Sequence, residues 1–505
     1  MGYYFRGGRG GLTHLRQQRA VWRCCTKASG DQLEQAFMSA ERSPGTGTRW
    51  SLRTTTAPKA QGVRQMSDLT LLDDRQVQSF VRDGYITLDT GLPADSHSRL
   101  HDRITQVFDG EGNPGNDILP RVPDLHQVLE WPTVAGALTS LLGPHYLLHP
   151  HRHCHLNPAG SEGQRMHQDS YEEDQNVRHH RVRWLMAFYY PQDVEADAGP
   201  SSIVPATQYL TAEDQHGSTD ELPFLGKAGS VTIVHYDLWH RAMANVGQRD
   251  RFMVKFLFTR MSEPRTASWR HAGGEWTPTG GHDDALCAHL WDWLRGAGTA
   301  TCKSEEPALP AADLARRLTA IEEIERYDAA YRLGAMGEAA VPMLIDALRR
   351  EGASRVEANI ERSHTNPVQF DTAYGLTAAG AASVPALTGL LGDEAWWLRA
   401  SAADILGDIG LEATGSVGAL TDALTDESDW VRRNAVEALG NIGPDAAAAN
   451  EFLAECLTDP SVEVRHNTAL ALAKIGGGKD SALQKAGDDE NLYVRELSAA
   501  ALARS

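Results

Sequence analysis

The sequence predicts a modular protein in which a β-barrel or β-sandwich domain is followed by an all-α solenoid. The chain has 505 residues, more than a single hydrophobic core usually organises. Several β-rich runs separated by Gly, Pro and Asp turns occupy residues 145–260. Toward the C-terminus an Ala- and Leu-rich block recurs every 33 residues, and a period of this length indicates stacked helical repeats.

The first 65 residues differ in composition from the rest of the chain. They carry eleven Lys and Arg against three Asp and Glu, so residues 66–505 hold a net charge near −27 within the total of −19. The segment is rich in Gly, Arg, Thr and Ser and lacks a sustained hydrophobic period, so we expect residues 1–65 to be a disordered basic segment. An organelle transit peptide and a stretch upstream of a start at Met66 both fit this composition.

The acidic body excludes several classes of partner. Negative charge repels phosphate backbones, so we expect no nucleic-acid binding. The six Cys are scattered without CxxC spacing, which is typical of a reducing compartment and argues against a disulfide framework or a zinc finger. No run of residues reaches the roughly 18 apolar residues of a membrane-spanning helix. We therefore predict a soluble, cytoplasmic protein with no membrane partner.

The β domain is expected over residues 66–300, followed by a linker over residues 301–324. Apolar residues at helical spacing over residues 71–81 predict a helix that ends at Gly84. A first strand should follow at residues 85–88. Further strand-like runs cover residues 146–149, 183–190, 230–234 and 251–258.

The recurring block begins with Asp and ends with Arg six residues later. Three copies start 33 residues apart and a fourth follows after 30, at Asp393, Asp426, Asp459 and Asp489. We expect each Asp to cap a helix and each Arg to bridge neighbouring copies. The blocks resemble HEAT-like repeats of the bilin-lyase type, over residues 325–505. The resemblance implies an α-solenoid that docks a protein or a substrate, but a shared fold does not imply lyase activity.

Aromatic residues occupy one equivalent position in three of these copies: Trp397, Trp430 and Tyr493. An exposed aromatic column would suit binding of a protein partner. Aromatic residues packed inside the solenoid are the commoner arrangement. The sequence alone leaves both interpretations open.

Histidine and aspartate two residues apart, in His167-Gln-Asp169, predict a metal site. In an extended segment, residues two apart project from the same face, so one cation can bind both. Two neutral imidazoles and one carboxylate bind Fe(II) and leave three adjacent positions open, as in non-haem oxygenases. His240 is the best candidate for the second imidazole. His235 is an alternative, although its spacing to Arg251 fits less well.

Motifs around these residues carry a family resemblance. They are Phe80-Val-Arg-Asp-Gly-Tyr85, His167-Gln-Asp169, Ala198-Gly-Pro200 with Val204-Pro205, and Trp239-His-Arg-(x)3-Asn245-(x)5-Arg251. Through them, residues 69–260 resemble the phytanoyl-CoA dioxygenase family of Fe(II)/2-oxoglutarate oxygenases. The resemblance implies a double-stranded β-helix (jelly-roll, cupin-like) domain with His167, Asp169 and His240 as catalytic iron ligands. It also implies that Arg251 binds the distal carboxylate of 2-oxoglutarate.

Arginine suits that last role because its planar guanidinium matches a carboxylate with two parallel hydrogen bonds and stays charged when partly buried. Arg249 is the nearest rival, but it falls before the predicted strand. The sequence departs from the family at residues 204–208, Val-Pro-Ala-Thr-Gln, where a Pro-Gly-Ser-His turn is usual.

The resemblance implies an Fe(II)- and 2-oxoglutarate-dependent dioxygenase that uses O2 to hydroxylate an unidentified small-molecule substrate and releases succinate and CO2. Related halogenases have a small residue where this chain has Asp169, so hydroxylation or desaturation is favoured over halogenation. The alternative is a HEAT-repeat interaction scaffold whose oxygenase domain is catalytically silent or senses oxygen or iron.

Four histidines alternate along one predicted strand: His149, His151, His153 and His155. Their common face would suit a second metal or an acidic substrate. It would equally suit a partly exposed strand that flanks the pocket, and Pro150 favours this second interpretation because proline in sheets lies mostly at edges.

Overall fold

The computed structural model describes residues 37–39, 51–53, 68–169, 179–211, 221–281, 283–298, 309–357, 370–477 and 480–504. The chain divides into two compact units, Met1–Ser67 and Asp68–Ser505. In the first unit, strand β1 (Phe37–Ser39) pairs antiparallel with β2 (Ser51–Arg53). Disorder was predicted for residues 1–65, and the other residues of that segment lie outside the described residues.

Two antiparallel sheets form the β domain of the second unit. Its strands among the described residues are β3 (Tyr85–Asp89), β4 (Leu147–Asn157), β5 (Trp184–Tyr189), β6 (Ser201–Ile203), β7 (Leu222–Pro223), β8 (Ser230–His235), β9 (His240–Ala242) and β10 (Arg251–Thr259). The larger sheet has the order β3-β8-β5-β10-β4, and the smaller has the order β7-β6-β9. All neighbouring strands in both sheets run antiparallel.

Helices precede and follow these strands. Those of the β domain are α1 (Asp74–Asp83), α2 (Ala94–Glu111), α3 (Ile118–Arg121), α4 (His126–Leu129), α5 (Pro132–Leu142) and α6 (Asp284–Leu294). Those that follow are α7 (Ala311–Arg317), α8 (Glu323–Gly334), α9 (Val341–Glu357), α10 (Ala373–Ala379), α11 (Val384–Leu390), α12 (Trp396–Ile409), α13 (Val417–Asp422), α14 (Asp429–Ile442), α15 (Asn450–Cys456), α16 (Val462–Ile475), α17 (Asp480–Ala486) and α18 (Leu492–Leu502). Among the described residues, no helix combines the length and the apolar character that crossing a bilayer requires.

Helix α1 begins three residues later than its hydrophobic spacing predicts, because Asp73 caps it. The Asp73 carboxylate accepts a hydrogen bond from the Gln76 amide at 2.9 Å, and the Gln76 side chain accepts one from the Asp73 amide at 3.1 Å. This reciprocal capping box satisfies two amides that the first turn would otherwise leave without partners. The helix ends at Gly84, whose φ of 79° lies in the left-handed region that favours glycine.

Strand β10 lies between β5 and the edge strand β4 in the larger sheet and is buried along its whole length. Its even-numbered residues, from Phe252 to Phe258, belong to a core that also contains residues of α2 and α5. Met253 and Leu257, on the opposite face, belong to a core that includes Ile203 of the smaller sheet. Burial on both faces explains why the strand is an almost continuous apolar run. The two sheets therefore face each other across an apolar layer, and the predicted fold class of a β oxygenase domain followed by an all-α region is confirmed.

The helical repeats are joined by a ladder of ion pairs. The Arg of one block reaches the Asp that opens the next, in the pairs Arg399–Asp426, Arg432–Asp459 and Arg465–Asp489, with closest distances of 2.7, 2.8 and 2.8 Å. The Asp carboxylates accept from backbone amides two residues on, as Asp426 does from Ser428 at 2.9 Å. The bridges between copies are therefore present, while the helix caps fall on later residues such as Ser461.

Buried charges connect the solenoid to the β domain. Arg183, next to β5, bonds to Glu263 at 2.8 Å through Nε and to the Asp408 carboxylate of α12 through Nη1. The side chains of all three are at most 5% exposed. Little water reaches this buried cation, so water cannot replace either carboxylate as its partner. The contact therefore holds the solenoid against the β domain.

The last repeat packs against β4, the edge strand of the larger sheet. Tyr493 of α18 is 2% exposed, and its hydroxyl lies 2.9 Å from His151 Nδ1 and 3.2 Å from Asn116 Nδ2. His466 of α16 approaches His149, with 3.3 Å between their Nε2 atoms. Of the three aromatic residues at the equivalent repeat position, Tyr493 therefore packs inside the chain, against the β domain.

Replacing Arg183 with Met should lower the free energy of unfolding by about 3–5 kcal/mol, because Glu263 and Asp408 would stay buried without their closest cation. The measurement is the urea unfolding midpoint of the variant against that of the unmodified chain. Arg349→Met is the matched control, since its pair with Asp393 is half-exposed and its loss should cost about 1 kcal/mol or less. Equal losses in the two variants would contradict the buried contact.

Asp404 of α12 should make stability depend on pH. Burial raises the pKa of its carboxyl to about 7. The unfolded chain releases this proton near pH 4, so the native state holds more protons between roughly pH 4 and 7, and stability falls as the pH rises through that window. Asp404→Asn mimics the protonated acid, so its melting temperature should rise relative to that of the unmodified chain as the pH goes from 4 to 7. A difference that stays constant with pH would contradict this.

Candidate metal centre

His167 and His240 are held opposite each other by their own backbones. The His167 amide donates to the His240 carbonyl, and the His240 amide donates to the His167 carbonyl, each at 2.9 Å. This reciprocal pair is an isolated antiparallel bridge that extends the smaller sheet beyond β9. Directly opposite residues of an antiparallel pair project to the same face, and the two imidazole centroids lie 4.6 Å apart.

Asp169 joins them from the same extended segment, two residues after His167. Its Oδ1 lies 3.7 Å from His167 Nε2, and its Oδ2 lies 3.7 Å from His240 Nε2. The three ligand atoms all lie within 4.8 Å of one another. Ligand atoms about 2.1 Å from one ion and at right angles to each other are about 3 Å apart, so a small inward movement would let these three share a metal.

Both imidazoles turn the same nitrogen toward Asp169. His167 Nδ1 lies 2.9 Å from the Arg165 carbonyl oxygen, and His240 Nδ1 lies 2.9 Å from the Leu238 carbonyl oxygen. A carbonyl oxygen can only accept, so each Nδ1 carries a proton and each Nε2 presents a lone pair. Burial lowers the pKa of His240 to about 4, which keeps this imidazole neutral at pH 7.

A lysine completes the surroundings of Asp169. Lys255 Nζ lies 2.6 Å from Asp169 Oδ2, and the lysine side chain is buried. Burial by itself would raise the pKa of the Asp169 carboxyl, but Lys255 and, less strongly, His240 hold it well below its usual value. The carboxylate is therefore ionised at neutral pH and available to a cation.

Arg251 enters the same cavity from the start of β10. Its side chain is 1% exposed, and Nε and Nη2 donate to the Gly199 carbonyl at 3.0 and 2.5 Å. Gly199 has a φ of 63°, and a Cβ there would lie 2.3 Å from Asn157 Nδ2, so this close approach requires glycine. Burial lowers the pKa of the guanidinium from its usual value, although arginine still stays charged.

One donor of Arg251 has no protein partner among the described residues, its buried Nη1. An unsatisfied buried N–H of a charged group costs free energy, so it marks a place where an acceptor is expected. Arg251, the three possible metal ligands and Lys255 all line one cavity of about 190 Å³. The donor set fits Fe(II), and the unsatisfied Arg251 donor fits a carboxylate such as that of 2-oxoglutarate.

The two rival residues lie elsewhere. His235 contacts Asp237 and packs its ring against Tyr209, outside the set that lines the cavity. Arg249 is exposed and contributes its backbone carbonyl to Asn245.

The histidine row of β4 flanks the cavity, and His155 lines it. Because β4 is the edge strand of the larger sheet, Pro150 is tolerated within it. Among the described residues, none of the four histidines belongs to a group of three possible metal ligands.

Sequence reasoning missed Lys255. The signal was present, because Lys255 lies four residues after Arg251 on a strand, a spacing that puts both side chains on one face. A lysine inside the apolar run Phe-Met-Val-Lys-Phe-Leu-Phe is also rarely buried without a partner.

A second group of possible ligands, His179, Asp404 and Glu437, lies at the contact between the solenoid and the β domain. Glu437 already bonds to the Arg433 guanidinium. Burial alone would raise the pKa of Glu437, but Arg433, and then His179 and Lys474, lower it. These buried cations disfavour a metal dication there, so the group serves as part of the interface charge network.

Comparison with known families places two kinds of module in the chain. Residues 80–253 match the family described as phytanoyl-CoA dioxygenase (PhyH). Residues 417–503 match HEAT repeats, and residues 325–350 match the PBS lyase HEAT-like repeat. The predicted fusion of an oxygenase-family domain with C-terminal HEAT-like repeats is confirmed. A search of curated proteins finds no match to the chain.

Solved structures resemble part of the chain at low identity. SnoK, a non-heme alpha ketoglutarate dependent carbocyclase from nogalamycin biosynthesis, is 17% identical over 39% of this chain and 87% of its own, with a TM-score of 0.33. HygX from Streptomyces hygroscopicus, solved with nickel and 2-oxoglutarate bound, is 12% identical over 38% of this chain and 88% of its own, with a TM-score of 0.31. Both likenesses are too distant to transfer an activity.

Replacing His240 with Ala should weaken binding of a divalent metal at least about 100-fold, since loss of a ligand should exceed the 10–100-fold cost of losing its supporting partner. Anaerobic calorimetric titration with Fe(II) measures this affinity. His235→Ala is the matched control, because it also removes a buried imidazole close in sequence, and its affinity should stay within about threefold. A larger loss in the His235 variant than in the His240 variant would reassign the second imidazole.

Proposed function

We propose, on the premise that residues 80–253 form a domain of the phytanoyl-CoA dioxygenase family, that this chain is an Fe(II)- and 2-oxoglutarate-dependent dioxygenase acting on a small molecule. The observation that carries the proposal is the convergence in one cavity of His167 Nε2, His240 Nε2 and the Asp169 carboxylate with the unsatisfied Nη1 of Arg251. A metal triad and a carboxylate anchor in the same small space are what binding of a metal-chelating keto acid requires.

The three proposed ligands contribute to metal binding in different ways. His167 and His240 offer ring nitrogens whose direction is set by the backbone carbonyls behind them. Asp169 supplies one negative charge, which favours a divalent over a monovalent cation and leaves the assembly cationic enough to bind an anionic cosubstrate. Iron bound here would supply the one-electron and O2 chemistry that amino-acid side chains lack.

Arg251 orients the cosubstrate. Two of its nitrogens are committed to the Gly199 carbonyl, so the guanidinium plane is fixed and Nη1 is directed by the protein rather than by the ligand. A preorganised donor loses little side-chain entropy on binding, and a charge-assisted hydrogen bond in a buried site is among the stronger polar contacts. The distal carboxylate of 2-oxoglutarate is the group assigned to this donor, with the keto-acid end toward the triad.

The overall reaction proposed is hydroxylation of a substrate C–H bond by O2, coupled to conversion of 2-oxoglutarate into succinate and CO2. The residues that carry it bind and orient the metal, the cosubstrate and the substrate. Asp169 keeps the third ligand position occupied by the protein, which favours hydroxylation over halogenation.

The HEAT repeats are proposed to dock a protein or a large substrate through surfaces that are not packed on the β domain. Helices α12, α16 and α18 contribute Asp408, His466 and Tyr493 to contacts with the β domain. A partner therefore has the other faces of the solenoid available. Tyr493 is excluded from such a surface because it is buried.

Anaerobic addition of Fe(II) and 2-oxoglutarate should produce a visible charge-transfer band, and admission of oxygen should then yield succinate. Arg251→Met should raise the 2-oxoglutarate concentration for half-maximal band intensity by about 10- to 100-fold, the worth of a charge-assisted hydrogen bond. Arg249→Met, which removes an exposed cation two residues away, should change it by less than about twofold.

A catalytically silent scaffold would produce neither band nor succinate. A sensor of iron or oxygen would produce the band with little succinate. A band that survives His167→Ala unchanged would contradict the assigned ligand set.

A further inference from the structure

Lys255 is a buried cation that faces the metal cavity. It lies on the same face of β10 as Arg251 and Met253, and all three line the cavity. The residue is 6% exposed. A lysine ammonium removed from water needs a counter-charge or several hydrogen bonds. Lys255 can therefore stay buried and charged only with such a partner.

Among the described residues, Lys255 pairs with Asp169, at 2.6 Å. The proposed function gives the Asp169 carboxylate to a metal dication. A carboxylate that shares its charge with such an ion offers much less to an ammonium, and the ion itself repels Lys255. Loading the metal site therefore weakens the ion pair that makes burial of Lys255 tolerable.

The neighbouring histidines supply no counter-charge for Lys255, since an imidazole is either neutral or positively charged. Burial, and then the Lys255 cation, lower the pKa of His153 and hold that of His155 well below its usual value. Burial lowers the pKa of His151 to about 3. The imidazoles beside Lys255 are therefore neutral at physiological pH, and they offer hydrogen bonds but no compensating charge.

The charge balance of the loaded cavity is then positive. Among the described residues that line the cavity, Arg241 is neutralised by its ion pair with Glu221 at 2.7 Å. A metal dication, Arg251 and Lys255 would then face the Asp169 carboxylate and the two carboxylates of 2-oxoglutarate, which leaves one positive charge uncompensated among these groups. Arg251 has its own assigned partner in the distal carboxylate of the cosubstrate. The surplus lies with Lys255, a compact point charge that suits a single anionic oxygen group.

We propose that Lys255 binds a carboxylate group of the primary substrate, so that the substrate is an anionic, carboxylate-bearing small molecule. The proposal rests on the proposed function, since it takes the metal and 2-oxoglutarate as already bound. A monocarboxylate matches the surplus of one charge, whereas a phosphate dianion would overcompensate it. The histidine row beside Lys255 supplies neutral hydrogen-bonding groups to the same carboxylate.

The test uses the full chain, loaded anaerobically with Fe(II) and saturating 2-oxoglutarate, with acetate as the probe for the substrate carboxylate. Acetate should perturb the charge-transfer band with a saturable dependence, and acetamide, its neutral analogue, should not. Lys255→Met should raise the half-saturating acetate concentration at least about tenfold, and Lys255→Arg, which keeps the charge, should stay within about threefold. Arg249→Met controls for the loss of a nearby exposed cation and should change nothing.

Several results would overturn the inference. An acetate response that persists in Lys255→Met, an equal response to acetamide, or no response in the unmodified chain would each do so. A stronger response to inorganic phosphate than to acetate would overturn the assignment to a carboxylate.

The same titrations separate this inference from the function on which it rests. The 2-oxoglutarate concentration for half-maximal band intensity should be within about threefold of normal in Lys255→Met, against the larger rise expected for Arg251→Met. An equal rise in both variants, or loss of the band in Lys255→Met, would assign Lys255 to the cosubstrate or to the metal and overturn the inference alone. Absence of the band from the unmodified chain would overturn the proposed function and the inference with it.

Discussion

The candidate site depends on one reciprocal pair of backbone hydrogen bonds, between His167 and His240. These two residues are separated by more than seventy positions, yet their amides and carbonyls bond to each other and bring the imidazole centroids to 4.6 Å, with the ring planes at 48°. Asp169 follows two residues later on the same extended segment and reaches the same point, where Lys255 pairs with it. Since each Nδ1 is bound to a carbonyl of its own segment, both rings turn Nε2 toward the aspartate. The backbone therefore determines which atoms are free to bind a metal.

Strand β10 relates that triad to the rest of the molecule. Its even-numbered side chains are buried against helices, and its odd-numbered ones lie toward the other sheet and the cavity. Arg251 and Lys255 can be buried there only because each has a specific partner, the Gly199 carbonyl and the Asp169 carboxylate. Beside it, β4 is held on its outer side by Tyr493 and His466 of the solenoid. The HEAT repeats thus support a wall of the cavity as well as providing surfaces of their own.

The sequence predicted those parts of the molecule that leave a local or periodic signal. The repeat period indicated the solenoid, alternating and apolar runs indicated the strands, and the two-residue spacing of His167 and Asp169 suggested a metal site. Strand β4 is longer than its predicted four residues, since an edge strand tolerates Pro150. The contacts of Arg183 with Asp408 and of Tyr493 with His151 could not be predicted, because they join residues more than 200 positions apart and neither partner has a pattern that points to the other. Lys255 was partly predictable. Its spacing from Arg251 on the strand could be read from the sequence, but its pairing with Asp169 could be seen only in the folded chain.

The central claim is that two imidazoles and one carboxylate of this cavity bind a single ferrous ion. X-ray absorption of the anaerobic Fe(II) protein tests it most directly, because imidazole rings give a characteristic multiple-scattering pattern beyond a shell of light ligands about 2.1 Å from the metal. The account predicts two imidazoles per iron, one in the His240→Ala variant, and no sulfur at any distance typical of a metal–thiolate bond. An unchanged imidazole count in that variant, or a sulfur ligand in the unmodified protein, would contradict it.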